Sequence, residues 1–138
     1  MERILHKIGK IREYIALVNS IKGDCIARFS SDPLYRGALL HYLYLLADSC
    51  ITLAEMVIKH KKLRPPQTYY EAIDILGENK VLEPEFAFSF AKIAGFRNFL
   101  AHDYEKIAES SICKSILSKL EEIEEFVRQI ESSLGLKL

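Results

Sequence analysis

Apolar residues recur every three or four positions through much of the chain, which is the spacing of amphipathic α-helices. The pattern predicts a first helix over about residues 2–28, with a bend or an end at Gly23, and a last helix over about residues 109–134. No stretch alternates apolar and polar residues for a useful length, so no β-strand is predicted. The apolar positions of the first helix are Ile4, Ile8, Ile11, Ile15, Val18 and Ile21.

The second predicted helix is the most apolar element. Asp32 is placed to cap it, Pro33 suits its first turn, and it is expected to end near His60. It is apolar on more than one face, which predicts a place in the middle of a bundle or against a second subunit. Its apolar surface is expected to exceed what one bundle can cover. Three polar residues interrupt it, so it is predicted to be a core helix and not a membrane span: His41, Asp48 and Glu55.

Two further helices are predicted between the second helix and the last. Thr68 and Glu71 match a capping box, in which each side chain bonds the backbone amide of the other, and the helix that follows runs to about Glu78. The segment Glu83-Pro84 opens the next helix, which carries Phe86, Phe90, Ile93 and Phe96 or Arg97. The prediction is therefore a single domain, residues 1–138, folded as an all-α up-and-down bundle of four to five helices.

Composition narrows the class of protein. The hydrophobic fraction of 49% and the charged fraction of 28% are typical of a globular protein. Nineteen basic and nineteen acidic residues give a net charge of zero, so any contact with nucleic acid must come from a local patch.

The cysteines, the N-terminal residues and the histidines lead to expectations about location and metal binding. The cysteines Cys25, Cys50 and Cys113 are widely spaced, which predicts no disulfide framework and a reducing cytoplasm. The N-terminal residues lack the apolar run of a leader peptide, which agrees with a cytoplasmic location. The histidines outside residues 95–104 have no carboxylate or cysteine at ligand spacing, so no metal site is predicted.

Residues 95–104 hold the side chains with the clearest chemistry. Arg97 can hold phosphate oxygens with two hydrogen bonds, and His102 can move the proton of a ribose hydroxyl or of a leaving oxygen. RNA carries its own nucleophile in the 2′-hydroxyl, so neither metal nor cofactor is required. Arg97 and Tyr104 share a face if the helix continues. His102 lies about 140° around the helix from Arg97, so the two converge only if the helix ends near His102 or a second copy faces the first.

On chemistry alone, ordinary structural roles are favoured for the same residues, because most Arg and His side chains near a helix end are surface or capping groups. Arg97 can pair on the surface with Glu71, Asp74 or Asp103, and Tyr104 can be a packing residue. Asp48 is a carboxylate in an apolar helix and needs a partner. That partner is Arg97, His102 or a buried structural hydrogen bond.

The pattern formed by Arg97, Asn98, His102 and Tyr104 resembles the R-x-x-x-x-H-x-Y signature of HepT-type toxins in the HEPN superfamily. The similarity extends over nearly the whole chain. It includes residues 29–32 before the apolar helix, residues 65–76, and residues 82–85 before the motif helix.

The resemblance implies a metal-independent endoribonuclease of a toxin–antitoxin system, working as a homodimer in which two motifs line one cleft. Arg97 would bind and polarise the phosphate, His102 would transfer the proton, and Asn98 would orient the site. Asp48 is a further candidate for supporting the site, from the chemistry of its side chain and not from the resemblance. The partner would be a small nucleotidyltransferase antitoxin that attaches AMP to Tyr104. The alternatives are a non-catalytic helical module that binds a nucleotide or a nucleotidyltransferase, and a structural bundle without a site.

Overall fold

The computed structural model of the chain describes residues 1–103 and 106–136. All regular structure within these residues is helical, which confirms the all-α prediction. The α-helices are α1 Glu2–Ile21, α2 Cys25–Arg28, α3 Pro33–His60, α4 Tyr69–Glu78, α5 Pro84–Phe90, α6 Ile93–His102 and α7 Leu120–Ser133. The predicted helix over residues 2–28 is broken by a 3₁₀ turn at Lys22–Asp24, which contains Gly23.

Helix α3 is the centre of the bundle and contacts α1, α4 and α6. It begins as predicted: Asp32 Oδ1 accepts hydrogen bonds from the backbone N–H groups of Leu34, at 3.1 Å, and Tyr35, at 3.2 Å. The Tyr35 hydroxyl donates to the carbonyl of Ile21 at 2.6 Å, so the start of α3 lies against the end of α1.

The apolar side chains of α3 are almost all covered within one chain. By length and composition α3 is able to cross a membrane, but its apolar residues form the core of the bundle, which confirms the prediction of a core helix. The expectation that its apolar surface exceeds what one bundle covers is wrong, because every large apolar side chain of α3 except exposed Leu34 is buried or half-buried within the chain. Leu45 and Met56 are half-buried, and the fully buried residues include Leu39, Leu40, Leu43, Leu46, Ile51, Leu53 and Val57.

Helix α4 begins with one half of the predicted capping box. The Thr68 hydroxyl accepts from the backbone N–H of Glu71 at 3.0 Å. The reciprocal bond differs from the prediction, because the Glu71 carboxylate accepts from the backbone N–H of Gln67, at 2.8 Å, and not from that of Thr68. At the other end of α4, a Cβ added to Gly77 would lie 2.6 Å from Ala87 Cβ, so glycine allows α5 to pack closely on α4.

The helix expected to run from Pro84 into the motif is divided in two. Helix α5 ends at Phe90 and α6 begins at Ile93, because the backbone hydrogen bonds shorten to three residues between them, as in the bond from Ala94 N–H to Ala91 O at 3.1 Å. Phe90 stacks on Phe86 and on Phe126 of α7, which fixes α5 against the last helix.

The predicted last helix is regular only from Leu120. Before it, Ser111–Ile116 forms π-helical turns and Leu117–Lys119 a 3₁₀ turn. Helix α7 is held to α1 by Arg12, whose two Nη atoms donate to the Glu131 carboxylate at 2.7 and 2.8 Å. The hydrogen bonds to buried Glu131 outweigh the desolvation of Arg12 and raise its pKa.

Two of the three cysteines form a disulfide, so the prediction that they are unpaired is wrong. Cys25 of α2 is bonded to Cys113 in the π-helical turns, with 5.6 Å between their Cα atoms. The two are 88 residues apart in sequence, but the segment after α6 folds back onto the α2 turn, where Ser30 Oγ donates to Glu109 at 2.9 Å. Cys50 is a buried free thiol whose pKa is raised by burial.

Candidate active site

Arg97 points from α6 towards the polar face of α3. Its Nε donates to Asp48 Oδ1 at 3.1 Å, and its Nη2 donates to the Tyr44 hydroxyl at 3.1 Å. The Arg97 side chain is 17% exposed and that of Asp48 is 39% exposed, so the pair lies at the edge of the bundle, open to solvent on one side. Arg97 therefore pairs with Asp48, and not with Glu71, Asp74 or Asp103.

Two tyrosine rings flank the guanidinium. The Arg97 Cζ atom is 5.3 Å from the ring centroid of Tyr44 and 5.0 Å from that of Tyr69, both within cation–π range. Burial lowers the pKa of Arg97, but the hydrogen bond to Asp48 and the charges of Tyr44, Tyr69 and Asp48 outweigh it, so the net pKa is raised. The side chain is thus a permanent cation held in one position.

Asn98 supplies the third contact of the guanidinium, with its Oδ1 3.3 Å from Nη1 of Arg97. Arginine has five N–H groups. The contacts to Asp48, Tyr44 and Asn98 use three of them, so two N–H groups, one on each Nη atom, remain for a ligand. Two parallel N–H donors are what arginine uses to hold a phosphate.

His102 is the last residue of α6, and its side chain is exposed. It has no hydrogen bond or ion pair to any residue within 1–103 and 106–136. The helix ends at His102, yet Arg97 faces α3 while His102 faces solvent, so the two are not brought together within this chain. Tyr104, the predicted site of AMP attachment, lies outside the described residues.

Two shallow clefts flank Arg97 along the seam between α3 and α6. One, of about 330 Å³, is lined by Glu55 of α3, Pro66, Gln67, Thr68, Tyr69 and Asn98. The other, of about 430 Å³, is lined by Gly37, Leu40, His41 and Tyr44 of α3 and by Leu100 and Ala101 of α6. Residues that contact the guanidinium line both clefts: Tyr69 and Asn98 line the first, and Tyr44 lines the second. We call these two clefts the groove.

Tyr44, Tyr69 and Glu55 are site residues that were not predicted from the sequence. Tyr44, Asp48 and Glu55 are spaced four and seven residues apart, which places them on one face of α3. That spacing is the signal available from sequence. No pattern in the sequence links Tyr69 to Arg97, because the two belong to different helices.

No group of three His, Cys, Asp or Glu side chains that could hold a metal ion is present in the part of the chain that the structure describes. Arg97 is instead the group at this site that can bind an anion. In the comparison with protein families, the model of the HepT-like ribonucleases matches residues 4–130 of this chain. The chain belongs to the HepT-like ribonuclease family. The predicted family and the predicted class of enzyme, an endoribonuclease, are confirmed.

Two characterised relatives of this HepT-like chain match it over almost its entire length. It is 23% identical to the mRNA nuclease HepT of Shewanella oneidensis, over 94% of this chain and 96% of the relative. It is 28% identical to the tRNA nuclease HepT of Aphanizomenon flos-aquae, over 97% of this chain and 89% of the relative.

Solved structures share the fold of this HepT-like chain. The tri-AMPylated HEPN toxin of Shewanella oneidensis, in complex with an MNT antitoxin, superposes with a TM-score of 0.83 at 23% identity, covering 94% of this chain and 96% of the toxin. The cytosolic protein YutE of Bacillus subtilis, whose function is unknown, gives a TM-score of 0.81 at 20% identity, covering 97% and 90%. The HEPN-type fold is therefore confirmed.

Proposed function

We propose that this chain is the ribonuclease toxin of a toxin–antitoxin pair and that it cleaves RNA by attack of a ribose 2′-hydroxyl. The observation that carries the proposal is Arg97, a cation fixed by three contacts with two N–H groups left over, on a helix that ends at an exposed histidine. The nuclease names of the relatives and the toxin of the solved complex support the same conclusion.

The proposed reaction needs only these two groups and the RNA itself. The 2′-oxygen forms a bond to phosphorus while the bond from phosphorus to the 5′-oxygen breaks, which leaves a 2′,3′-cyclic phosphate and a 5′-hydroxyl. His102 carries the proton taken from the 2′-hydroxyl or given to the 5′-oxygen. Arg97 binds the phosphate oxygens and stabilises their growing charge. Asp48 and Asn98 hold the guanidinium in place.

The site is proposed to be complete only in a homodimer. Arg97 and His102 diverge by about 140° around α6, and His102 faces solvent. A second copy packed against the outer face of α6 would bring two His102 side chains towards one groove. The whole chain, residues 1–138, would act as one domain in each subunit.

Mutation of the motif tests the chemistry. Loss of the His102 or Arg97 side chain is expected to lower RNA cleavage by roughly a hundredfold or more, with the helical circular-dichroism spectrum unchanged. His60→Ala, which removes an exposed histidine at the end of α3, is the matched control and is expected to cleave normally. Cleavage is expected to survive EDTA and to yield 2′,3′-cyclic phosphate ends, read by mass spectrometry of the fragments.

Several results would reject the proposed function. Activity that disappears with chelator, or that His102→Ala leaves unchanged, rules out the two-residue mechanism. Purified unmodified protein that binds RNA or the partner and never cleaves is the result expected of the non-catalytic binding module.

We further propose that a nucleotidyltransferase antitoxin silences the enzyme by adding AMP to Tyr104. The phenol oxygen would bond to the α-phosphorus of ATP and release pyrophosphate, while the phenol gives up its proton. Tyr104 follows His102 by two residues in the chain, so the added phosphate would enter the region that the RNA backbone occupies near Arg97. Both the RNA and the ATP-dependent partner belong to the cytoplasm, which is the proposed location.

Mass spectrometry after treatment with the nucleotidyltransferase and ATP tests the proposed silencing. Wild type is expected to gain the mass of one or more adenylyl groups on the peptide that contains Tyr104 and to lose activity. Tyr104→Phe is expected to keep much of its activity and to escape silencing, because the phenol does not carry the catalytic proton. Full silencing with an unmodified Tyr104 would mean that the antitoxin acts by covering the groove.

A further inference from the structure

The cleft formed by Glu55, Tyr69, Asn98 and their neighbours adjoins the phosphate-binding side chain. Tyr69 contacts the Arg97 guanidinium with its ring, and Asn98 contacts it with its Oδ1. Both residues also line the cleft of about 330 Å³. A ligand held by Arg97 is therefore next to this cleft, and whatever is attached to its phosphate can enter it.

We propose that this cleft binds the base of the nucleotide beside the scissile phosphate and that Glu55 selects guanine there. The inference rests on the proposed ribonuclease function and adds a base preference to it.

The cleft has the groups that recognise a single-stranded base. Such bases are typically stacked on an aromatic ring and hydrogen-bonded along the Watson–Crick edge. Tyr69 is the aromatic ring in this cleft. Its polar side chains are Glu55, Gln67, Asn98 and Thr68, the last of which already accepts the backbone N–H of Glu71. Glu55 and Asp48 are seven residues apart on one face of α3, about 10 Å along the helix axis. A base bound at Glu55 and a phosphate bound at Arg97, the partner of Asp48, would therefore occupy separate places.

The chemistry of Glu55 distinguishes guanine from the other bases. A carboxylate only accepts hydrogen bonds, and guanine alone offers two adjacent donors, N1–H and the N2 amino group, on its Watson–Crick edge. Adenine and cytosine place a ring-nitrogen acceptor beside their amino group, and uracil places a carbonyl on each side of its N3–H. These acceptors would repel the carboxylate.

The surroundings of Glu55 favour a ligand that donates hydrogen bonds to its carboxylate. Its side chain is exposed and has no hydrogen bond or ion pair with the residues that the structure describes. Burial, and then the charge of Asp48, raise its pKa, so the carboxylate gains from N–H groups that stabilise its charge. Asn98 uses its Oδ1 on Arg97, which leaves its amide N–H groups free to donate to the O6 atom of guanine.

Binding of the four nucleoside 3′-monophosphates to the unmodified full-length protein tests the selection without requiring catalysis. Calorimetry is expected to give roughly tenfold or tighter binding of 3′-GMP than of 3′-AMP, 3′-CMP or 3′-UMP. Glu55→Gln presents one donor and one acceptor, so the preference is expected to disappear. Glu85→Gln, which changes an exposed glutamate of α5 outside the cleft, is expected to keep it. Equal affinities in wild type, or a preference that Glu55→Gln retains, overturn the inference.

Cleavage of oligonucleotides that differ only in the base beside the scissile phosphate separates this inference from the function on which it rests. Faster cleavage at guanine by wild type and Glu85→Gln, with no such bias in Glu55→Gln, supports the role of Glu55. Efficient cleavage by wild type at all four bases alike overturns that role and leaves the ribonuclease proposal intact. If wild type does not cleave at all, the proposed function fails, and the affinities alone decide whether the cleft selects guanine.

Discussion

Asp48 shows how a single carboxylate sets the position of the Arg97 guanidinium. Asp48→Asn keeps the shape of the side chain and an oxygen near Arg97 Nε, but it removes the negative charge from the contact. Charge-assisted hydrogen bonds are about twice as strong as neutral ones, so the variant is expected to lose roughly tenfold in RNA cleavage. The loss is expected mainly in kcat, because a misplaced guanidinium stabilises the transition state less well. Steady-state kinetics on a defined RNA would measure it.

A control separates this role from a general effect of removing charge. Asp74→Asn changes an exposed carboxylate on α4 and is expected to leave cleavage unchanged, while Asp48→Glu is expected to recover part of the activity lost in Asp48→Asn. Equal cleavage by Asp48→Asn and wild type would show that Arg97 does not depend on this partner.

Of the contacts that Arg97 makes, the one with Asp48 could be predicted from the sequence and the aromatic ones could not. A carboxylate within an apolar helix needs a partner, and that requirement alone made Arg97 one of the candidate partners of Asp48. The aromatic contacts of Tyr44 and Tyr69 could not be predicted in this way. A tyrosine is compatible with core, interface or site, and only the packing of α4 on α3 places the Tyr69 ring against the guanidinium.

At the scale of elements, helix starts and the interruption at Gly23 were predictable, and the other irregular turns were not. Asp32 and Thr68 cap their helices as expected because capping depends on local sequence. The break between Phe90 and Ile93 and the π-helical turns of Ser111–Ile116 leave the apolar spacing almost unchanged. Periodicity therefore predicted continuous helices where the backbone changes its hydrogen-bond register.

The disulfide between α2 and the π-helical turns is expected to contribute strongly to stability. Cross-linking two points 88 residues apart removes chain entropy from the unfolded state, typically worth about 2–5 kcal/mol. Urea unfolding with and without dithiothreitol would measure it, with Cys25→Ser as the control that is insensitive to reductant. Thiol titration of the denatured, unreduced protein is expected to count one thiol, that of Cys50.

Disulfides are uncommon in a reducing cytoplasm, so the same measurement bears on the proposed location. Three titratable thiols in protein purified under non-oxidising conditions, together with unfolding that reductant does not alter, would mean that Cys25 and Cys113 are neighbours without a bond in the cell.

At the scale of the whole molecule, the outer face of α6 is where a second subunit is expected. Gly95, Phe99 and His102 are spaced four and three residues apart and share this face. Phe99 is 38% exposed, and Tyr70, which is 46% exposed, has its hydroxyl close to Gly95. Light scattering at micromolar concentration is expected to give twice the 15.8 kDa of one chain. Phe99→Glu is expected to shift this mass to that of a monomer and to reduce cleavage.

The control for assembly is Phe88→Glu, which places the same charge on an apolar residue of α5 that is 82% exposed. It is expected to remain dimeric. A monodisperse wild-type monomer that cleaves RNA would contradict the shared groove.

The fold of one chain could be predicted from the sequence because its apolar core residues are buried within that chain. The assembly could not be predicted in the same way. The strongest sequence argument for an interface was the apolar surface of α3, and most of that surface is buried within the monomer.

The irregular turns between residues 111 and 119 imply that different parts of the molecule open at different rates. Hydrogen bonds in 3₁₀ turns are poorer than those of an α-helix, and segments with weaker backbone bonding exchange their amide protons through local openings. Helix α7 is anchored by the partly buried Arg12–Glu131 pair, so its amides are expected to exchange slowly, with the core. The amides of residues 111–119 are expected to exchange early. This segment would then open locally while helix α7 and the core of the bundle stay closed.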